Sequence, residues 1–221
     1  MNNFTKIRPK YGSNGSLTEK FNEFYDKYYN LYTPDQLVFI KDYFFSSIND
    51  SCVPLIVMQI YSELGIDAKS LEVYRNHFNK LKKHFSLSRN IIDIGGGFLP
   101  AFANMIAEEQ YKIGTGTITV YDPALVVTEP KYSNMKLIKD EFTTDTDVSN
   151  YDLMLGLFPC EATRSIVESA KKNNKDFYVA ECGCGHAVNP YYYFDKDSDN
   201  IELEYFDGTE YDYPILIRKR N

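Results

Sequence analysis

The chain has 221 residues, 43% hydrophobic and 25% charged, the balance of a globular protein large enough to bury a core without a disulfide or metal. Lys and Arg total 24 against 31 Asp and Glu, a net charge of −7, which withholds the basic surface that a general nucleic-acid binder needs. No stretch reaches membrane-spanning apolar length, Met1 to Thr18 holds no signal-peptide core, and four cysteines in such a chain read as reduced thiols, so a cytoplasmic location is expected.

The charge divides the chain. Residues 1–89 carry 12 basic and 9 acidic side chains; residues 90–221 carry 12 basic and 22 acidic. The first part reads as helical and the second as alternating, which sets a boundary near Arg89. After a polar leader, Phe21, Phe24, Tyr25, Tyr28 and Tyr32 recur at helical steps. Thr33-Pro34 is a helix start, and Leu37, Ile40, Phe44 and Ile48 continue the step. Pro54 opens a third helix, whose stripe Ile56, Val57, Ile60, Tyr61 and Leu64 is closed by Gly65. Ala68–Phe85 carries a fourth. These four form the expected N-terminal helical cap, 1–89.

From Asn90 the pattern changes. Asn90–Ile94 is a short apolar run ending in a glycine cluster, and so a buried strand. Leu99–Tyr111 is helical; Thr117–Tyr121 and Met135–Lys139 are strands; Tyr151–Leu157 is a fourth strand, followed by a helix over Thr163–Asn173; Phe177–Glu181 is a fifth. Ile201–Phe206 and Tyr213–Arg218 flank Asp207-Gly208 as an antiparallel hairpin. Strands alternating with helices imply a mostly parallel sheet with helices on both faces.

The most informative segment is Ile91-Ile92-Asp93-Ile94-Gly95-Gly96-Gly97-Phe98-Leu99-Pro100. Glycines just after a first parallel strand let a ligand approach the backbone, and open α/β sheets bind ligands at the carboxyl ends of their strands. The dinucleotide fingerprint asks for Gly at 95, 97 and 100, but position 100 is Pro. A phosphate loop would need Gly-Lys and then Ser or Thr, which is absent. Asp93 would repel pyrophosphate and favours a ligand with a cationic group.

Asp93-x-Gly95-x-Gly97 after a strand resembles the first motif of the class I S-adenosylmethionine-dependent methyltransferases, with Leu99 where that family carries a third glycine. The family has a Rossmann-like seven-stranded sheet whose last pair forms a hairpin with one antiparallel strand. The resemblance covers about residues 85–221, and implies an S-adenosylmethionine-binding domain over 90–221. It implies that Asp93 faces the cofactor's amino group and that Gly95, Gly96 and Gly97 admit its methionine and ribose. Asp122, 29 residues after Asp93, would accept from both ribose hydroxyls, and a carboxylate offers two oxygens for that role. Asp140, with Glu141 as its rival, would take the adenine amino group. The alternative is a glycine-rich turn that binds nothing, or another nucleotide.

After the fourth strand stands Leu157-Phe158-Pro159-Cys160-Glu161, and after the fifth Glu181-Cys182-Gly183-Cys184-Gly185-His186. The family's sheet order makes these two loops neighbours over the transferred methyl. Phe158 is then assigned to the cofactor, Pro159 and Cys160 to the substrate, and Glu161 or His186 to general base catalysis. Cys160, Cys182, Cys184 and His186 offer zinc-type ligands, but the Cys-x-Cys-x-His spacing is tighter than zinc motifs use, so no metal is expected; buried small hydrophobes are the bland account. Cys52 falls in a helix, as a core residue. Asn-Pro-Pro-Tyr-type sequences are absent after the fourth strand, which disfavours amino-methylation of DNA bases. Tyr191 and Tyr192 can wall an organic substrate by stacking, or belong to an irregular loop.

Arg75, Lys80, Lys82, Lys83 and Arg89 lie with His77 and His84 in a stretch without acids. RNA phosphates would suit it; a solvated helix with cations near its C-terminus is preferred. The expected function is transfer of a methyl from S-adenosylmethionine to an acceptor, a small molecule ahead of RNA. The alternative is a non-catalytic protein of the same fold that binds this cofactor or a nucleoside.

Overall fold

The computed structural model describes residues 15–50, 53–181, 201–205 and 214–220. The chain forms two compact units, Met1–Arg75 and Asn76–Asn221.

The first unit is helical: α1 (Gly15–Tyr28), α2 (Pro34–Ser46) and α3 (Leu55–Glu63), then a 3-10 turn over Lys69–Leu71. The start of α2 is a capping box. Thr33 Oγ1 accepts from Gln36 N at 3.3 Å, and Gln36 Oε1 accepts from Thr33 N at 2.9 Å, with Pro34 in the first turn. The aromatic stripe becomes a ring-packed core. Phe21 meets Phe44 at 5.0 Å between centroids, Phe44 meets Tyr61 at 5.2 Å, and the Tyr61 hydroxyl donates to Phe44 O at 2.8 Å. Cys52 lies outside the described residues.

Helix α4 (Glu72–His84) begins in the first unit and runs into the second. The second unit then holds β1 (Asn90–Ile94), α5 (Ala101–Ile113), β2 (Thr117–Tyr121), β3 (Met135–Ile138), β4 (Leu153–Leu157), α6 (Thr163–Lys172), β5 (Asp176–Ala180), β6 (Ile201–Tyr205) and β7 (Pro214–Arg218). The seven strands lie in the order β3-β2-β1-β4-β5-β7-β6. β1 to β5 are parallel, and β7 runs antiparallel between β5 and β6.

Strand alternation sorts the faces. Ile92, Ile94, Met154, Phe177, Val179 and Leu216 pack on α6 through Ile166, Val167 and Ala170. Tyr178 points the other way, where its hydroxyl meets His77 Nδ1 of α4 at 2.8 Å. Asp93 and Leu155 share the register row of Tyr178, and so its face. Gln110 of α5 is buried, and its amide donates to Leu87 O and Arg89 O at 2.8 and 3.1 Å, fixing the approach to β1.

The expected alternation lapses twice. Residues 122–134 and 139–152 cross from β2 to β3 and from β3 to β4 without an α-helix. The first holds a short apolar run, Ala124–Val127, between Pro123 and Pro130; the second is polar without a helical stripe and is anchored by two buried side chains, Phe142 and Val148. β5 ends at Ala180 rather than Glu181, leaving Glu181 at the strand's carboxyl edge.

Candidate functional site

The site is built where β1, β2, β4 and β5 end. β1 is buried from Ile91 to Ile94, so the turn after it is held by the sheet. Gly95 and Gly97 have φ of +77° and +79°, the left-handed region where a side chain strains the backbone. Gly95 N donates to Tyr121 O at 3.0 Å, tying the turn to β2. Gly96 is required for space instead. A Cβ there would lie 2.8 Å from Val120 Cγ1 and 3.2 Å from Asp93 Oδ2. Leu99 is buried and does not take a positive φ. The loop path needs no glycine at that position, so the departure from the family motif is accommodated.

Asp93 lies against Gly96 with 1% of its surface exposed. Neither carboxyl oxygen has a hydrogen-bond partner among the described residues. Burial first, and the Asp122 charge second, push its carboxyl up to about 7. An orphaned buried carboxyl is expensive; a cation beside it would offset that cost. Asp122 is nearby and better satisfied. Its Oδ2 accepts from Gly97 N at 2.7 Å and its Oδ1 from Ala124 N at 2.6 Å. Each oxygen has spent one lone pair and keeps another, so both can still accept from a diol. Asp140 is exposed and accepts from Glu141 N at 2.8 Å. It adjoins Tyr121, whose hydroxyl is pushed up by burial and then by the Asp140 charge.

The turn after β4 meets the glycine turn. A Cβ on Gly95 would lie 3.0 Å from Pro159 Cα and Cβ. Phe158 and Cys160 flank this proline with φ of 58° and 47°. Non-glycine residues reach such angles only when their surroundings hold them there, and they gather at functional sites. Phe158 N donates to Ala180 O at 2.8 Å, and the Phe158 ring meets His77 edge-on at 5.5 Å. Burial, then the Glu161 charge, pushes the Cys160 thiol up, which opposes a thiolate role. Glu161 itself is exposed on the 3-10 turn Cys160–Ala162. So Asp93, Gly95, Gly96, Gly97, Asp122, Phe158, Pro159 and Cys160 gather at one edge, with Asp140 on the loop after β3. His186, Tyr191, Tyr192, Cys182 and Cys184 lie outside the described residues.

The sheet order, with one antiparallel strand next to last, is the one the motif resemblance implies. The chain has a Rossmann-like, mostly parallel seven-stranded sheet with a C-terminal antiparallel hairpin, an architecture consistent with the methyltransferase fold. No family model and no curated protein matches the sequence, but solved structures do. An S-adenosylmethionine-dependent methyltransferase from Aquifex aeolicus is 9% identical with a TM-score of 0.49, over 72% of this chain and 97% of that one. An rRNA methylase from Streptococcus thermophilus is 8% identical with a TM-score of 0.44, over 68% and 95%. The CMeT domain of the citrinin polyketide synthase is 14% identical with a TM-score of 0.47, over 92% and 64%. Likeness at this distance carries no argument about chemistry, which has to be argued from the site.

At the carboxyl edge of this sheet one carboxyl stands out that the sequence reading passed over. Glu181 follows β5 with 2% of its surface exposed, and neither of its oxygens has a hydrogen-bond partner among the described residues. Burial pushes it up to about 7. In sequence it resembles any strand-end glutamate; pairing of its backbone N with Pro214 O at 3.0 Å, far along the chain, carries it inside. His77 was read as part of a basic stretch, but it is fully buried against Tyr178 and held down to about 3, first by burial and then by the Lys80 charge.

The basic stretch is largely neutralised. Lys80 and His84 meet Glu204 at 2.9 and 3.0 Å, Lys82 meets Glu109 at 2.7 Å, and Arg89 meets Asp176 at 2.5 Å. Arg75, in the first unit, pairs with Asp67 at 2.6 Å. Cations already matched by carboxylates are poor phosphate partners.

Proposed function

We propose that the protein binds S-adenosylmethionine at the carboxyl edge of β1 and β2 and transfers its methyl to a small-molecule acceptor. One observation carries this reading: Asp93, buried and without a hydrogen-bond partner among the described residues, lies directly against a turn whose glycines exclude side chains. That combination is suited to a ligand with an ammonium group and unsuited to pyrophosphate.

The residues present fit the cofactor. Asp93 answers the amino group, directly or through a water. Gly95, Gly96 and Gly97 admit the chain. Asp122 uses its two remaining acceptor positions on the ribose hydroxyls, and Asp140 or Glu141 takes the adenine amino group. Phe158 walls the cofactor, while Pro159 and Cys160 face the acceptor. S-adenosylmethionine, when bound, supplies a methyl on a positively charged sulfur. The protein's part is alignment of the acceptor with that methyl and removal of the acceptor's proton where it has one. Glu161 and His186 are the bases read from sequence. A small acceptor is favoured over RNA by the net charge of −7 and by the paired cations of α4.

Calorimetry with S-adenosylmethionine and S-adenosylhomocysteine tests the reading. Both bind wild type, and Asp122→Ala weakens them at least about tenfold, the loss of one to two charged hydrogen bonds. Absence of binding to the wild-type chain overturns it. Binding without turnover over a broad acceptor panel would favour the non-catalytic alternative.

A further inference from the structure

Asp93 is given work by the cofactor reading; Glu181 is not. Its carboxyl is buried and has no hydrogen-bond partner among the described residues, and an apolar residue would hold the same place at less cost. Its position is fixed on both sides. Glu181 N donates to Pro214 O at 3.0 Å, and the preceding Ala180 O accepts from Phe158 N at 2.8 Å. Phe158 opens the strained turn whose Pro159 lies against Gly95. The chain of contacts therefore runs from the glycine turn to Glu181 through one turn, the turn assigned to the acceptor.

We propose that Glu181 recognises the ammonium group of an amine acceptor and takes its proton, so that the acceptor is methylated on nitrogen. The proposal rests on the methyl-transfer reading above. A hydroxyl acceptor brings no charge that would offset ionising a buried carboxyl, and a carboxylate acceptor is repelled by it. An ammonium brings the opposite charge that can offset it. An ammonium has no lone pair and cannot attack a methyl until it is deprotonated. Within the ion pair one N–H bond breaks and an O–H bond forms on Glu181, leaving a neutral amine and a neutral acid, the form that burial favours. The amine nitrogen then bonds to the methyl carbon as the carbon–sulfur bond breaks, and the sulfur keeps the electron pair. The positive charge passes from sulfur to the methylated nitrogen, and the Glu181 proton leaves to water after product release.

The test uses propylamine, cyclohexylamine, benzylamine and phenethylamine, each against the alcohol of the same skeleton. Binding is measured by NMR titration at pH 7.5, with and without saturating S-adenosylhomocysteine. At least one amine should bind ten or more times tighter than its alcohol. Glu181→Gln, nearly isosteric, should bring that ratio close to one while leaving S-adenosylhomocysteine affinity within about twofold. Glu181→Met, apolar and of similar length, should do the same and covers the case in which the Gln variant does not fold. No amine preference in wild type, or a preference that survives both substitutions, overturns the proposal. Failure of S-adenosylhomocysteine to bind wild type would sink the cofactor reading instead, and the amine-to-alcohol ratio would still report on Glu181.

Discussion

Replacing Asp93 with Asn tests the orphaned carboxyl directly, because the neutral amide keeps the shape and removes the charge. The Asp93 carboxyl is raised from an ordinary 3.8 to about 7, so the fold favours its protonated form. Its contribution is whole below about 3.8 and is lost as pH rises through about 7. Three units at about 1.36 kcal/mol each make the full difference ~4 kcal/mol. A minor part of this is already gone at pH 5 and nearly all at pH 8. Wild type should therefore lose about 2–3 kcal/mol against D93N between those two pH values. Water entering to solvate the carboxylate lowers that figure without changing its sign. Urea unfolding of both proteins at half-unit steps of pH gives the difference, and the Glu181 titration, common to both, largely cancels. A difference flat across pH would refute the reasoning, as would a D93N variant less stable than wild type at pH 8. A bound ammonium should pull Asp93 back toward the carboxylate range. At pH 7 about half a proton is then released on binding S-adenosylmethionine, read from calorimetry in buffers of different ionisation enthalpy and absent in D93N.

Other substitutions probe the same edge. Gly96→Ala puts a methyl 2.8 Å from Val120 Cγ1; it should cost about 1–3 kcal/mol in unfolding and abolish calorimetric binding of S-adenosylhomocysteine, and a variant that binds normally would show that the turn has room to spare. Asp122→Asn keeps one acceptor oxygen of two, so its affinity should fall between wild type and Asp122→Ala, and equality with either would remove the two-oxygen argument. Asp176 is a structural control. Burial pushes its carboxyl up, but the Arg220 backbone N–H at 2.7 Å and the Arg89 guanidinium at 2.5 Å outweigh this and hold it below its ordinary value. Asp176→Asn should cost about 2–3 kcal/mol at neutral pH, and the gap to wild type should close as pH falls below the ordinary carboxylate range, with cofactor affinity unchanged.

The strands were legible because their composition has one reading. Ile91 to Ile94 is an apolar run interrupted only by Asp93 and cut off by glycine, and Thr117–Tyr121 is β-branched up to its closing tyrosine; both strands have the expected bounds in the structure. The helical stripes of the first unit were legible for the same reason, with Thr33-Pro34 marking a start that hydrogen bonds then complete. The two crossovers without a helix were less so. A polar stretch such as 139–152 carries no period, and Phe142 and Val148 look like isolated apolar residues until the sheet gives them a surface to cover. Helix α4 shows the limit from the other side. Its cations suggested a solvated face, yet His77 within that run is fully buried, because its partner Tyr178 stands on a strand 101 residues later.

The same distinction separates the two buried carboxyls. Asp93 could be singled out because its neighbours in sequence are also its neighbours in space: the strand before it and the glycines after it form one local turn. Glu181 could not, since nothing adjacent tells it from Glu161. What distinguishes them is long-range. Glu161 sits on a short 3-10 turn and reaches solvent. Glu181 is held at the sheet edge by Pro214 on one side, and the preceding Ala180 is held by Phe158 on the other. A carboxyl placed inside by contacts from two distant segments is paid for by neither, since neither supplies it with a donor. On the proposed reading, a cation that arrives with a ligand supplies the missing compensation, the cofactor's for Asp93 and the acceptor's for Glu181.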